Sequence, residues 1–455
     1  MLTDRFKLNA SGTNLRTEVL AGITTFATMA YIIFVQPVVL AAAGMDQGAV
    51  FTTTCVVTAI ATILMALLAN YPVAVAPAMG HNFFFAYVVV LTMKVPWQTA
   101  LGAIFLSGLI FVVTSSFGLR ERIVNAVPES LKSAIAAGIG LLITLIGLEW
   151  AGLVRLDPNT FVTLGRLESK PVMVALIGLL TTIVLMARKV GGSILIGIIV
   201  AALVGIPLGI VKAPAGIIGL PPSIAPTALK LDIAGAIKQG LFAIIFIFFF
   251  LDLFDTVGSL IGISKQAGLM KDGKLPRVGR ALFADAVGTV CSSLAGNTTM
   301  VSYIESTAGV AAGGRTGVTA LVTAGLFVAA LFFSPLVSAI SGGFPVHETI
   351  QIGGAQAAHS FVLYPVTSPA LIVVGSLMMR SVKEIAWEDF SEGLPAFLTI
   401  VLMPLTFSIT DGMAIGFISY SLLKLVTGRG RDVHWLIYVF AALFLIRYSV
   451  PSLRG

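Results

Sequence analysis

Residues that build metal sites and covalent catalytic centres are scarce in this 455-residue sequence, which has two cysteines, four histidines and only 11% charged residues. Cys55 and Cys291 match no metal-ligand spacing, so neither a zinc site nor a disulfide framework is expected. His347, Glu348 and His359 follow no recognised ligand pattern either, and we expect them in a solvated loop. The sequence therefore predicts no metal site and no cofactor.

A nucleotide-binding loop is missing as well. The glycine-rich stretch 309–317 lacks the G-x4-G-K-[ST] order of a phosphate-binding loop, which disfavours a nucleotide-driven pump. The apolar segments contain no nucleophile and base at catalytic spacing, so a membrane enzyme has no support.

Apolar residues make up most of what is present. The chain is 57% hydrophobic, and its mean hydropathy of +1.00 predicts a polytopic membrane protein rather than a soluble domain. A helix needs about 20 apolar residues to cross the bilayer. The polar start of the chain has no apolar region of the kind found in signal peptides, so we expect the first span to be retained.

Apolar runs of this length predict an all-α protein with fourteen transmembrane segments. They lie at 18–41, 50–69, 72–90, 97–117, 131–152, 171–188, 191–211, 236–264, 279–294, 297–312, 316–334, 361–380, 391–408 and 410–427. The last apolar stretch, 434–450, either crosses the membrane or lies against it. We favour the second alternative, which leaves both termini on the same side.

The net charge of +7 fits the orientation of these spans better than a nucleic-acid partner. With the N-terminus in the cytoplasm, the outer segments hold Lys94, Arg155, Arg166, Lys170, Lys212 and Lys230. The cytoplasmic segments then hold about three times as many basic residues, in agreement with the positive-inside rule. This bias predicts a multi-pass protein of the cytoplasmic membrane with both termini inside.

The two halves of the chain share one plan. Seven predicted spans end near Val211, a proline-rich connector follows at 212–230, and seven more spans begin at 236. An odd number of spans in each half gives the halves opposite orientations, which is the arrangement of an inverted repeat. Such repeats place their binding site near the middle of the membrane.

The third and tenth spans cannot be uniform helices. Pro72, Pro77 and Gly80 interrupt the third span, and several glycines surround the polar run 297–299 in the tenth. A membrane tolerates irregular backbone only where protein or water satisfies its polar groups, so both breaks are expected to face the interior. The stretches beside the breaks are expected to pair as two short strands, and freed N–H groups are expected to bind a polar ligand.

Two carboxylates, Asp255 and Glu305, lie in apolar segments beside helix-breaking stretches, where an ionisable residue predicts a substrate or ion site. Asp255 shares a small polar stripe with Ser259, and Asp252 lies on nearly the same helix face among Phe and Leu residues. Glu305 lies in the tenth span, just past its polar run. We expect one acid to accept N–H groups of a substrate and another to carry a proton.

His81 and Asn82 occupy the break of the third span, directly before Phe83. An aromatic face beside hydrogen-bonding groups suits a flat heterocycle, whose ring stacks while polar groups bind its edge. His81 either titrates near neutral pH or donates to a carbonyl group that the break has freed.

Six ordered motifs give the chain a family resemblance. They are TTFATMAYIIFVQP (24–37), APAMGHNFFFAY (76–87), FFFLDLFDTVGSLIG (248–262), SYIESTAGVAAGGRTG (302–317), LFFSP (331–335) and DGMAIGFISY (411–420). Together they resemble the AzgA-like branch of nucleobase/cation symporter family 2, whose members are purine permeases. The resemblance covers nearly the whole chain.

The resemblance implies that the two inverted seven-span repeats form two domains. A substrate-binding core domain would comprise 1–117 and 236–335, and a gate domain would comprise 118–235 and 336–455. It also implies a homodimer in which the gate domains support an elevator-like movement of the core.

The same resemblance implies roles for single residues. Asp255 matches the family's eighth-span acid, Glu305 its tenth-span acid and Asn82 its purine-site asparagine. The expected substrate-binding residues are Glu305, Asp255, Asn82, Phe83, Tyr303, Ile304 and Ser259. The expected coupling or gating residues are Asp255, His81 and Asp252.

The chain departs from the family pattern in the third span, where Ala78 and His81 replace a glycine and a leucine. His81 is therefore expected to alter purine preference or proton coupling. The segment 340–362 is longer than usual, and 366–369 replaces the common A-T-A-P; both differences concern the gate.

These observations predict a secondary active importer of adenine, guanine or hypoxanthine that is driven by protons, with Na⁺ as an open alternative. Two other classes stay open on the same architecture, a passive channel and an anion exchanger. A channel usually has a continuous polar face, whereas this chain has isolated acids, and an anion site calls for a cation.

Overall fold

The computed structural model describes residues 5–116, 127–157, 160–270, 275–352 and 355–449. Its α-helices, in chain order, are α1 Leu15–Met29, α2 Ile32–Ala42, α3 Gln47–Ala69, α4 Met79–Phe83, α5 Trp97–Ser116, α6 Glu129–Trp150, α7 Lys170–Ala187, α8 Ser193–Gly205, α9 Ile233–Lys238, α10 Phe242–Gln266, α11 Val278–Ala295, α12 Ser306–Ala311, α13 Gly317–Ala330, α14 Ser334–Ile340, α15 Ser368–Met378, α16 Phe390–Leu405, α17 Ile409–Val426 and α18 Trp435–Ser449. The predicted domain boundary at 117–118 lies outside the described residues.

Side-chain caps and glycine fix the ends of several helices. The Asn14 side chain accepts the Thr17 N–H at 2.9 Å before α1, and Asp46 accepts the Ala49 N–H at 2.7 Å before α3. These caps satisfy backbone donors that have no partner within the helix. Gly296 ends α11 in the left-handed region at a φ of 85°.

The membrane character of the chain is confirmed. Among the described residues, nine helical segments are long and apolar enough to cross a membrane: Leu15–Ala42, Gln47–Ala69, Trp97–Ser115, Glu129–Trp150, Lys170–Ala187, Ile244–Ser264, Val278–Ala295, Gly317–Ile340 and Ile409–Val426. Shorter apolar helices occupy Met79–Thr92, Ser193–Gly205, Phe390–Leu405 and Trp435–Ile446. The chain is a mostly helical, multi-pass membrane protein, and the number of fourteen spans stays a prediction.

The predicted breaks in the third and tenth spans are present, and their flanking strands pair. β1 (Val75–Pro77) precedes α4, which continues as a π-helix over Phe84–Thr92. β4 (Met300–Ser302) precedes α12. The two strands are antiparallel, with Val75 opposite Ser302 and Pro77 opposite Met300. This pairing places the two breaks side by side inside the protein.

The structure also contains two β-hairpins that were not predicted. β2 (Val154–Asp157) pairs with β3 (Phe161–Leu164), and β5 (Phe344–Ile352) pairs with β6 (Ala355–Leu363). The segment that we expected as a solvated loop therefore forms a β-hairpin, in which His347 Nδ1 lies 2.8 Å from Ser360 Oγ. Backbone hydrogen bonds between the antiparallel strands give these connecting stretches a regular structure.

The long helices pack in a pattern that surrounds the paired breaks. α3 packs against α11 and α13, and α11 also packs against α5. On the other side, α6 packs against α15 and α16, and α7 packs against α8. α10 contacts β4, α12 and α4, so it lies directly against both breaks.

Candidate functional site

The two predicted acids occupy neighbouring elements. Asp255 lies on α10, and Glu305 is the residue immediately before α12. α10 packs against β4 and α12, the elements on either side of Glu305. Both carboxylates are half-buried, and the side chain of Asp255 is 27% exposed. The fold thus brings both membrane-embedded acids close to strand β4.

Asp255 faces the break of the third span. His81 Nε2 lies 3.9 Å from Asp255 Oδ2, and the imidazole is fully buried. The other ring nitrogen, Nδ1, lies 2.7 Å from Thr299 Oγ1 in the tenth span. His81 therefore connects the eighth-span acid with the break of the tenth span.

Glu305 contacts the first span. The Tyr31 hydroxyl donates to Glu305 Oε1 at 2.6 Å, and Thr28 Oγ1 lies 3.4 Å from the Glu305 carbonyl oxygen. Tyr31 belongs to the short break between α1 and α2 and is 1% exposed. A distance of 2.6 Å is typical of a hydroxyl bound to an ionised carboxylate.

Glycine allows this close approach of the first and tenth spans. A Cβ atom at Gly309 would overlap Thr25 Oγ1 and would lie 2.7 Å from the Ala21 carbonyl oxygen. Any larger residue would push α12 away from α1, and Glu305 would move with it. The glycine-rich motif of the tenth span thus serves helix packing.

Tyr303 and Ile304 lie beside Glu305 but differ in their surroundings. The Tyr303 hydroxyl donates to the Pro77 carbonyl oxygen at 2.6 Å, and its backbone N–H donates to Ala74 O at 2.9 Å. Tyr303 therefore ties β4 to β1. Ile304 is 41% exposed and contributes an accessible apolar surface next to the acid.

Asn82 belongs to a buried network of amides and hydroxyls. Its Nδ2 donates to Gln36 Oε1, and its Oδ1 accepts from Thr298 Oγ1. Gln36 Nε2 donates to Asn297 Oδ1 at 2.7 Å, and Asn297 Nδ2 donates to Thr54 Oγ1 at 2.9 Å. The network holds both breaks against α2 and α3. The expected contact between Asn82 and a substrate stays a prediction.

Phe83 lies where the third span meets α6. It is buried, and its ring centroid is 6.0 Å from that of Trp150 in an edge-to-face arrangement. Trp150 also contacts Tyr364 at a centroid distance of 4.7 Å. This aromatic chain connects the third-span break with α6 and with the segment after the β5–β6 hairpin.

The remaining predicted residues, Asp252 and Ser259, lie on α10 on either side of Asp255 in the sequence. Asp252 is fully buried, and Thr289 Oγ1 on α11 lies 3.4 Å from its Oδ2. In a reciprocal contact, the Thr256 hydroxyl donates to Asp285 Oδ2 at 2.8 Å. Ser259 is half-buried, one helical turn after Asp255. Asp252 thus joins α10 to α11.

Sequence reasoning missed Tyr31, Gln36, Thr299 and Trp150. A signal for the first two was available, because both are polar residues within an apolar span and belong to the motif at 24–37. Glu305, the partner of Tyr31, and Asn297, a partner of Gln36, lie more than 200 positions away in the chain, so these pairings were not readable. Within the described ranges, no group of three or more His, Cys, Asp or Glu side chains is suited to hold a metal ion.

Comparisons with known proteins show which family the chain is similar to. A family profile described as "Permease family" matches residues 16–345. A putative permease of Methanocaldococcus jannaschii is 50% identical over 98% of both chains. The guanine/hypoxanthine permease PbuG of Bacillus subtilis is 43% identical, with 97% of this chain and 98% of the relative covered. The adenine permease AdeP of Escherichia coli is 42% identical, with 98% and 96% covered.

A solved structure shows the same fold at low sequence identity. The transmembrane domain of the cyanobacterial bicarbonate transporter BicA superposes with a TM-score of 0.61 at 16% identity, covering 89% of this chain and 97% of that domain. The predicted transporter fold is thereby confirmed. The family match and the full-length relatives identify this chain as a member of the permease family, in the AzgA-like branch of nucleobase/cation symporter family 2, and therefore as a transporter rather than an enzyme.

Proposed function

We propose that this protein imports purine nucleobases across the cytoplasmic membrane by symport with protons. The observation that carries the proposal is the pair of half-buried acids, Asp255 and Glu305, at the two paired breaks. Intramembrane acids beside discontinuous helices are typical of substrate and ion sites in secondary transporters. The printed names of the relatives, which include guanine/hypoxanthine and adenine permeases, support a purine as the substrate.

Glu305 is the residue that accepts the ring N–H groups of the base. A carboxylate offers two oxygen acceptors, and hydrogen bonds to a charged group contribute about 1.5–3 kcal/mol each. Exposed Ile304 and the buried aromatic residues Tyr303 and Phe83 supply apolar surface for a flat ring. Asn82 and Ser259 complete the proposed binding set as polar neighbours of the breaks.

Asp255 is the residue that couples transport to protons. Its protonation from the outer side permits loading of the base, and loss of the proton to the cytoplasm resets the carrier. His81 Nε2, at 3.9 Å, is a titratable group within reach of this acid. Asp252 supports the coupling helix through its contact with Thr289.

Transport proceeds by an elevator-like movement of a core domain against a gate domain, within a homodimer. Helix packing supports this division, because α3, α11 and α13 pack together while α6 packs with α15 and α16. The edge-to-face contact between Phe83 and Trp150 would then lie at the boundary that slides.

The test is uptake of labelled hypoxanthine, guanine and adenine into proteoliposomes with an imposed proton gradient. Wild-type protein should accumulate a purine against its concentration gradient, and an uncoupler should abolish accumulation, whereas replacement of Na⁺ by choline should not. Accumulation that follows the Na⁺ gradient would assign the coupling ion to sodium. Equilibration without accumulation would identify a passive channel.

The matched variants are Glu305→Gln and Glu168→Gln. Glu168 is an exposed glutamate in the loop before α7, away from the breaks. E305Q should lose saturable uptake by at least about a hundredfold if two charge-assisted hydrogen bonds are lost, whereas E168Q should transport like the wild type. Normal uptake by E305Q would overturn the assigned role.

A further inference from the structure

Tyr31 forms the hydrogen bond that fixes Glu305. Its hydroxyl donates to Oε1 at 2.6 Å, and its ring is 1% exposed. The neighbouring Tyr303 is also buried, but its hydroxyl donates to the Pro77 carbonyl oxygen. The two rings lie 6.5 Å apart at an angle of 32°. Two similar phenols thus make different bonds, one to the strand pair and one to the acid.

The position of Tyr31 in the fold makes this bond rigid. Tyr31 lies in the two-residue break between α1 and α2, and the glycine contact at Gly309 presses α12 against α1. Thr28, one turn before Tyr31, lies 3.4 Å from the Glu305 carbonyl oxygen. Side chains of the first span therefore contact both the backbone carbonyl group and the carboxylate of Glu305.

We infer that Tyr31 is a positioning residue for substrate binding: its hydroxyl holds the Glu305 carboxylate in the orientation that meets the ring N–H of the purine. This inference rests on the proposed function. A glutamate side chain without such a hydrogen bond populates several rotamers. Each binding event must then order the side chain again, at a cost in conformational entropy. A hydroxyl donor that orders the carboxylate in advance removes this cost and increases affinity.

The inference separates affinity from turnover. Tyr31 contacts the acid proposed to bind the base, whereas the proposed coupling acid lies 3.9 Å from His81. Removal of the Tyr31 hydroxyl should therefore raise KM and leave the maximal rate nearly unchanged. A purely structural role would instead lower thermal stability and the amount of active protein.

The experiment compares Tyr31→Phe with Tyr438→Phe in proteoliposomes. Both substitutions delete one phenolic oxygen; that of Tyr438 bonds to the Gly430 carbonyl oxygen at 2.9 Å, away from the breaks. Y31F should raise KM for purine uptake about tenfold, with the maximal rate within about twofold of wild type. Y438F should leave KM unchanged, and the Tm values of the two variants should agree within a few degrees. An unchanged KM in Y31F would overturn the inference.

Glu305→Asp keeps the inference testable if Y31F does not fold. Shortening the side chain withdraws the carboxylate from the Tyr31 hydroxyl while it preserves the charge. E305D should raise KM about tenfold or more, and, where Y31F folds, Y31F/E305D should bind no more weakly than E305D alone. Wild-type KM in E305D, or fully additive effects, would contradict a shared interaction. Absence of saturable purine uptake by the wild type would instead refute the proposed function.

Discussion

His81 Nε2 lies 3.9 Å from Asp255 Oδ2, and this approach joins the broken third span to the acid of the eighth. Glu305, in contrast, is bonded to a tyrosine hydroxyl of the first span. The two acids thus have chemically different partners, as expected if one binds the base and the other carries the proton.

Asp255→Asn tests the separation of these roles. The amide keeps the size of the side chain but cannot release a proton, so gradient-driven accumulation should be lost. Exchange of external labelled purine for internal unlabelled purine should continue, because Glu305 is intact. On the same proteoliposomes, a counterflow assay measures the rate of exchange, and uphill uptake measures gradient-driven accumulation. Asp432→Asn, at a carboxylate 64% exposed, is the control; uphill uptake by D255N at the wild-type level would contradict the coupling role.

His81→Leu removes two polar contacts, one to Asp255 and one to Thr299. The Thr299 hydroxyl, 2.7 Å from His81 Nδ1, would lose its imidazole partner in a buried site. Loss of such a bond costs about 1–3 kcal/mol, so Tm should fall by several degrees. Saturable uptake should persist, because the acceptor at Glu305 is unchanged. Thermal unfolding in detergent and KM for three purines check both points, and loss of all binding would show that His81 itself holds the base.

Gln36→Leu tests the buried amide network. The substitution removes the bonds of Gln36 to Asn82 and Asn297 and leaves their polar atoms in an apolar environment. Several unsatisfied groups at about 1–3 kcal/mol each should destabilise the protein strongly and reduce the amount in the membrane. Gln239→Leu, at an exposed glutamine, is the matched control. Equal thermal stability of Q36L and Q239L would show that the network contributes little.

Much of this fold was readable from composition and from helix-breaking residues. Apolar runs predicted the helices, and Pro77 together with the glycines of the tenth span predicted the breaks and the paired strands β1 and β4. The hairpins β2–β3 and β5–β6 were not predicted, because short strands of mixed apolar and polar residues give only a weak periodic signal. The pattern of residues along a sequence shows local periodicity, whereas these hairpins depend on pairing between two strands.

The site was readable only in part, for the same physical reason. Asp255, Glu305 and His81 were visible because charge and polarity are costly in an apolar segment. Tyr31 is a polar residue within an apolar span, but tyrosine is amphipathic and common in membrane helices, so this weak signal does not single it out. Its partner lies 274 residues away, and only the folded chain brings the hydroxyl to the carboxylate.

Asp389 provides a test of pH dependence outside the membrane-spanning segments. It caps α16, where hydrogen bonds from Ser391 and from the Arg429 guanidinium, the latter at 2.6 Å, hold the pKa of its carboxyl well below the ordinary value of 3.8. The buried Lys424 ammonium lies 2.8 Å from Glu392 Oε1 and 3.5 Å from Asp389 Oδ2. These contacts connect α16 with the end of α17.

A carboxylate with a lowered pKa stabilises the folded state above its unfolded pKa, and the contribution is lost as pH falls toward the folded pKa. Asp389→Asn should therefore lower Tm at pH 5–7, and the difference from wild type should shrink steadily below about pH 4. Thermal unfolding followed by intrinsic fluorescence from pH 3 to pH 7 measures this difference. Glu129→Gln, in an exposed pair with Lys132 at 2.8 Å, should change Tm little at any pH. A Tm difference for D389N that is constant over the whole range would mean that shape rather than charge at position 389 supports the α16–α17 contact.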